Sequence, residues 1–172
     1  MGQFLPSLSQ SVTMPSALIT PVISRRMRAL CVKPYAGHPK GCPKFGACDS
    51  CPPAIQFFED YFDLSQPLCA VWNVFPFGEH VERMRAKHPE WSPRQLACVY
   101  YWQNGARRQL EGEIAEFLLT HPGLVVTRCP EAMGLNVTET LAGAGIQLEW
   151  TPVKFALQVA VAGTPGKLRP TR

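Results

Sequence analysis

The sequence predicts a mixed α/β or α+β fold in one domain, with about four strands and four helices and a loop dense in cysteine, proline and glycine. Three observations predict it. Apolar residues make up 46% and charged residues 17% of the 172 positions, enough to bury one core and too apolar for a disordered chain. After residue 53, runs with helical spacing alternate with short strand-like runs. Between Cys31 and Pro53 the chain is too punctuated for either regular element.

Residues 1–16, rich in Ser, Pro and Gln, read as a flexible leader, with a helix or strand starting near Ala17. Residues 17–162 form the expected domain and 163–172 a frayed tail. Pro53 to Phe62 reads as a short helix with proline at its entry and Ile55, Phe58 and Phe62 on one face. Leu68 to Val74 is apolar enough for an internal strand, and Gly78 to His88 has a polar helical pattern. Ser92-Pro93-Arg94-Gln95 is a capping box, expected to open the longest helix. Leu96, Val99, Tyr100, Leu110, Ile114, Phe117 and Leu118 would form its apolar stripe until His121-Pro122, with Gly105 and Gly112 marking a kink or a close contact. Leu124 to Thr127 reads as a strand. Asn136-Val137-Thr138-Glu139 is a second capping box, for a helix ending at Gly143 or Gly145. Ile146 to Trp150 and Val153 to Ala162 read as two strands of a hairpin around Thr151-Pro152.

The formal charge of +4 is mild and spread over Arg25, Arg26, Arg28, Lys40, Arg83, Arg107, Arg108 and the basic tail. Nucleic-acid binders concentrate such charge on one face, so this pattern argues against a nucleic-acid partner. No apolar run approaches the ~20 residues that span a bilayer, and the proline-broken N-terminus does not read as a secretory signal. The expectation is a cytoplasmic protein without membrane contact. Seven cysteines in that setting favour reduced thiols used for ligation over a disulfide framework.

Cys31, Cys42, Cys48 and Cys51 fall within 21 positions, separated by ten, five and two residues. Pro34, Pro39, Pro43 and Pro52 stiffen this backbone, and Gly37, Gly41 and Gly46 allow the turns that aim sulfurs inward. A Pro/Gly loop offers little core for a cysteine to fill, so these thiols read as metal ligands, whereas Cys69 and Cys98 read as core thiols. Structural zinc sites are usually built from two short pairs, and only Cys48 and Cys51 form one here. An iron–sulfur cluster accepts less regular spacing, and Cys-Pro recurs in cluster-binding runs. Cys42, Cys51 and Cys129 all precede proline. Two ligand sets follow: the local one of Cys31, Cys42, Cys48 and Cys51, and a slightly favoured one in which Cys129 replaces Cys48. His38 is a candidate ligand or proton carrier, with a turn histidine bonded to backbone as the plainer role. Glu131 is the best acid/base candidate, although an exposed carboxylate after a strand is the simpler expectation.

Phe45-Gly46 to Cys51-Pro52-Pro53, and the later Pro130-Glu131-Ala132-Met133-Gly134-Leu135-Asn136-Val137, resemble two elements of a family of predicted metal-binding, cysteine-rich proteins found in bacteria and archaea. In that family the second element commonly reads Glu-Ala-Met/Val-Gly-Ile-Asp-Val, so Asn136 stands where aspartate is common. The resemblance covers about half the chain and implies metal ligation rather than a reaction. The family tends to carry further cysteines just before the second element, and here Cys129 stands alone there, which argues against two centres.

The leading expectation is therefore a redox or redox-accessory protein carrying one iron–sulfur cluster, with [4Fe–4S] as the favoured form and a redox protein as the fitting partner. The alternative is a zinc-stabilised binding module for nucleic acid, with Arg107, Arg108, Lys40 and Lys44 near phosphates and Tyr35 or Trp102 stacking on bases. A metal-dependent enzyme finds no complete catalytic constellation in the sequence.

Overall fold

The computed structural model describes residues 15–34, 39–43 and 45–166. These contain four strands, β1 (Ser16–Ile19), β2 (Leu68–Phe75), β3 (Val125–Thr127) and β4 (Ala156–Gly163), in one antiparallel sheet of order β1-β2-β4-β3. The described helices are α1 (Phe58–Tyr61), α2 (Phe77–Lys87), α3 (Pro93–Leu96), α4 (Gln103–Thr120) and α5 (Val137–Gly143), with 3-10 helices at Arg25–Val32, Val99–Tyr101 and Glu131–Met133. The class is the expected mixed α/β and the strand number agrees. Helical segments outnumber the four expected, because one long helix is divided and several turns tighten into 3-10 form.

β2 and β4 pair along their full length, from Leu68↔Gly163 to Phe75↔Ala156, and their period-two alternation sorts side chains onto two faces. On one face Val71, Ala160 and Ala162 pack under Leu110, Ile114 and Phe117 of α4. On the other, Leu68, Ala70 and Val161 meet Phe58, Phe62, Met133, Leu135, Val137 and Leu141. Each large apolar side chain removed from water there contributes about 1.5–3 kcal/mol before the entropy of ordering is charged against it. Buried Asn73 joins the layers: its amide donates to the Ala106 carbonyl at 2.8 Å and to Gln109 at 3.1 Å, and its oxygen accepts from the Gln158 N–H at 3.2 Å.

Four element expectations need correction. The Ser92 capping box forms, with the Gln95 side chain taking the Ser92 N–H at 2.9 Å, but its helix ends at Leu96. The chain breaks so that Trp102 can seat against Phe75 and Phe77, at ring distances of 5.1 and 5.4 Å, and α4 begins only beyond it. Val99 and Tyr100 consequently leave the expected stripe and are 53% and 81% exposed. Gly105 and Gly112 face open space, so neither marks a close contact. The helix expected from Pro53 shrinks to Phe58–Tyr61, since Arg28 takes the Pro53 carbonyl at 2.8 Å and the chain before Phe58 runs in turns. The hairpin around Thr151-Pro152 is absent: β2 and β3 occupy both edges of β4, and Ile146 and Leu148 pack on the core from irregular chain.

At the ends of the described chain, the Pro15 carbonyl accepts from the Trp72 N–H at 2.9 Å, and Pro165 bridges to Phe62. The remainder of the leader and tail, 1–14 and 167–172, lies outside the described residues. Among the described residues no helix is long and apolar enough to cross a membrane.

His80, in α2, is buried against Phe75 and Phe77, and among the described residues its Nε2 has no hydrogen-bond partner. Burial, aided by the Arg83 charge, holds the imidazole below its ordinary value. The neutral ring is thus the folded form, and stability present above the unfolded-state value of about 6.5 is lost as pH falls through the lower folded value, because the unfolded chain takes up the proton first. Urea midpoints measured at about pH 7.5 and pH 5.5 should differ clearly for the native chain and less for His80→Phe. An equal acid loss in the variant would remove His80 from the account.

Candidate metal centre

Two remote stretches are brought together by a short pairing of backbones. Ile23 bridges to Leu135, the Ser24 N–H donates to the Gly134 carbonyl at 2.7 Å, and the Asn136 N–H donates to the Val22 carbonyl at 2.8 Å. Gly134 turns the chain here with φ of 96°, a left-handed conformation that costs glycine little. Thr140 of α5 adds its hydroxyl to the Val22 N–H at 3.0 Å. The pairing lays the 3-10 helix Arg25–Val32, with Cys31 near its end, against the 3-10 helix Glu131–Met133, which follows Cys129-Pro130.

The cysteine loop is then fastened to that helix. The Cys42 N–H donates to the Cys31 carbonyl at 2.8 Å, and Gly41, with φ of 82°, presses so closely that an added Cβ would stand 2.6 Å from the same oxygen. Arg25 and Arg28 both lie over the Phe57 ring, at 4.3 and 4.5 Å, and Arg28 also holds Pro53. Turn bonds follow along the loop, Phe45 N–H to Cys42, Cys51 N–H to Cys48 and Ile55 N–H to Cys51, all at 2.9 to 3.0 Å. Backbone turns and an arginine clamp thus hold the described part of the loop.

These attachments leave a cavity of about 670 Å³ between the loop, α4 and the end of β3. Cys42, Cys48 and Cys51 line it from the loop and Cys129 from beyond β3. Apolar walls come from Ile55, Leu110, Val126, Met133 and Val159, and charge from Asp49, Arg107 and the ion pair of Glu111 with Arg128. Cys31 stands apart from the lining, half-buried, yet within electrostatic reach of Cys42, Cys51 and Glu131.

All seven cysteines carry thiols. Cys48 and Cys51 are already in contact, with sulfurs 3.3 Å apart, and the Ser50 hydroxyl lies 3.1 Å from the Cys48 sulfur. Hydrogen bonding by Ser50 and Cys51 holds the Cys48 thiol below the ordinary cysteine range, and the bond to Cys48 lifts Cys51 above it. Burial, with Glu131 and Cys51 nearby, raises Cys129, against which the Arg107 charge works. Burial likewise raises Cys31. Among the described residues, no three His, Cys, Asp or Glu side chains converge tightly enough to hold one ion. The Cys48–Cys51 pair is assembled, and Cys42 and Cys129 line the same cavity without closing on it.

Other candidates fall as follows. Glu131 is half-buried rather than exposed, and burial raises its carboxyl, because the pairing at Gly134 tucks its 3-10 helix against Arg25–Val32. Cys69 packs beside the α4-facing core as expected, and Cys98 is half-buried. Trp102 is 7% exposed and so withdrawn from any stacking role, whereas Tyr100, Tyr101 and Trp150 are among the exposed aromatic rings, Tyr101 lying beside Trp91. Lys40 is exposed, whereas Tyr35, His38 and Lys44 lie outside the described residues. Arg107, read from sequence as a phosphate contact, lines the thiol cavity instead. Sequence reasoning missed Ser50, whose hydroxyl lies beside the Cys48 sulfur, and Arg128, paired with Glu111 on the cavity wall.

Gly41→Ala should force a methyl group into the Cys31 carbonyl and the Val32 backbone while demanding a left-handed alanine. Hydrogen exchange at Cys31, Val32 and Cys42 should rise in that variant, with Gly46→Ala, whose Cβ meets nothing closer than 3.9 Å, as the milder comparison. Equal exchange in native protein and Gly41→Ala would contradict a role for this contact. Compared with family models, with curated proteins and with solved structures, the chain finds no match.

Proposed function

We propose that this chain carries an iron–sulfur cluster on cysteine thiolates and works in redox chemistry, either as an electron carrier or as an accessory to a redox enzyme. The observation that carries the reading is the meeting of thiols from two remote segments, Cys42, Cys48 and Cys51 with Cys129, on the wall of one cavity of about 670 Å³, with Cys31 outside the lining but within electrostatic reach of Cys42 and Cys51. The donor chemistry fits: soft thiolates are the ligands of such clusters, and the described lining includes no imidazole. Their spread also fits, since each iron of a cluster takes its own thiolate, which keeps sulfurs farther apart than around one ion. Cys31, Cys42, Cys51 and Cys129 are the favoured ligands, with Cys48 in place of Cys129 as the competing set. Bound there, a cluster would supply one-electron transfer. Arg107 would offset the negative charge of the thiolates, and the apolar walls would limit water around it. The resemblance of the Cys-Pro-Pro and Glu-Ala-Met-Gly elements to metal-binding proteins supports the same reading.

One observation favours zinc as a second reading. Around tetrahedral zinc, with Zn–S of about 2.3 Å, sulfurs stand about 3.8 Å apart, close to the 3.3 Å between Cys48 and Cys51. A zinc-stabilised module is then the alternative, in which the exposed Tyr100 and Tyr101 take over the stacking role once assigned to Trp102.

Anaerobic purification separates the two. A brown protein with charge-transfer absorption and about four irons per chain supports the cluster, while a colourless protein holding stoichiometric zinc replaces it with the second reading. Cys129→Ser should then release most of the iron and lower the thermal midpoint, because coordination contributes to folding, and Cys48→Ser should retain it. The reverse pattern would assign the ligand set to the loop alone.

A further inference from the structure

The favoured ligand set leaves Cys48 without a metal role, although its sulfur lies 3.3 Å from that of Cys51 and it is the exposed member of the pair. We propose that Cys48 is a redox-release thiol: a peroxide that reaches it drives a Cys48–Cys51 disulfide, which withdraws Cys51 from the centre and discharges the metal. The inference rests on the metal-binding reading above.

The backbone prepares the pair. The Cys51 N–H donates to the Cys48 carbonyl at 2.9 Å, closing a turn over Asp49 and Ser50 that keeps both side chains on one side. A disulfide needs sulfurs at about 2.05 Å, so closing the bond asks for a movement of little over ~1 Å from the distance already present. The Ser50 hydroxyl, 3.1 Å from the Cys48 sulfur, is placed to hydrogen-bond it while it is attacking. Cys51, half-buried, belongs to both candidate ligand sets, so its loss disables either.

The chemistry balances with hydrogen peroxide as the oxidant. The Cys48 sulfur attacks one peroxide oxygen, the O–O bond breaks, and the leaving hydroxide takes a proton to become water, giving a sulfenic acid at Cys48. The Cys51 sulfur leaves the metal and attacks the Cys48 sulfur. The S–O bond breaks, a second water forms with a proton from solvent, and the S–S bond closes. Two electrons pass from the two sulfurs to one peroxide, and a dithiol reductant reverses the step by exchange.

Two measurements on the full chain test this. In the first, metal-free protein treated with one equivalent of hydrogen peroxide is digested and mapped: a Cys48–Cys51 link should dominate, and linkage of other cysteines or over-oxidised Cys48 without a link would overturn the proposal. In the second, protein loaded with zinc, which has no redox chemistry of its own, is treated with peroxide while released zinc is read with a chromogenic chelator. Release should be about tenfold slower in Cys48→Ser than in native protein and be reversed by dithiothreitol. Equal release rates, or failure of Cys48→Ser to hold zinc at all, would overturn the release role. A native chain that takes up neither iron nor zinc would instead refute the metal reading and the release role resting on it, while the mapping would still decide whether the dithiol couple exists.

Discussion

The candidate centre depends on the short backbone pairing of Val22–Ser24 with Gly134–Asn136. Three groups of bonds meet there: two ladder bonds between segments over a hundred residues apart, the Thr140 hydroxyl on the Val22 N–H, and the side chain of Asn136 capping α5 through the Glu139 N–H at 3.2 Å. Closing so long a loop costs entropy, and Leu135 and Val137, both buried in the larger core, offset it. With this clamp closed, Cys31 and Cys129 become neighbours of one region. Without it, the loop cysteines would share only their local turns.

The sheet decides where the opening lies. β3 is three residues long and covers only Val161–Gly163 of β4, so the chain leaves the edge at Thr127 and carries Arg128 and Cys129 away from the ladder. Beyond that departure Gln158 and Val159 border the cavity, α4 closes one side with Arg107 and Leu110, and the cysteine loop closes another. A longer β3 would have kept pairing where the thiols now gather. The site is thus a consequence of a truncated edge strand, and edges that are covered by a loop avoid the exposure that invites aggregation.

The loop itself shows how an irregular segment can be ordered without a core. Arginines clasp Phe57, Gly41 packs on the Cys31–Val32 backbone, and each cysteine of the described loop takes part in a turn bond. That order brings Cys48 and Cys51 into contact and holds Cys42 and Cys129 at greater spacing around the cavity.

By itself, the sequence determined what local chemistry can determine. Runs of mostly apolar residues specified β2 and most of β4, helical spacing specified α2 and the Leu110–Ile114–Phe117 face, and Ser92 and Asn136 marked helix starts through hydrogen bonds that span three residues. Spacing alone also brought out the Cys48–Cys51 pair. The tertiary structure decided what depends on residues far apart: the break before α4 that seats Trp102 on Phe75, the irregular course of 146–150, the burial of Glu131, and the meeting of Cys129 with the loop thiols around Arg107. Such outcomes turn on which long-range contacts repay the entropy of closing large loops, and no window of neighbouring residues encodes that balance.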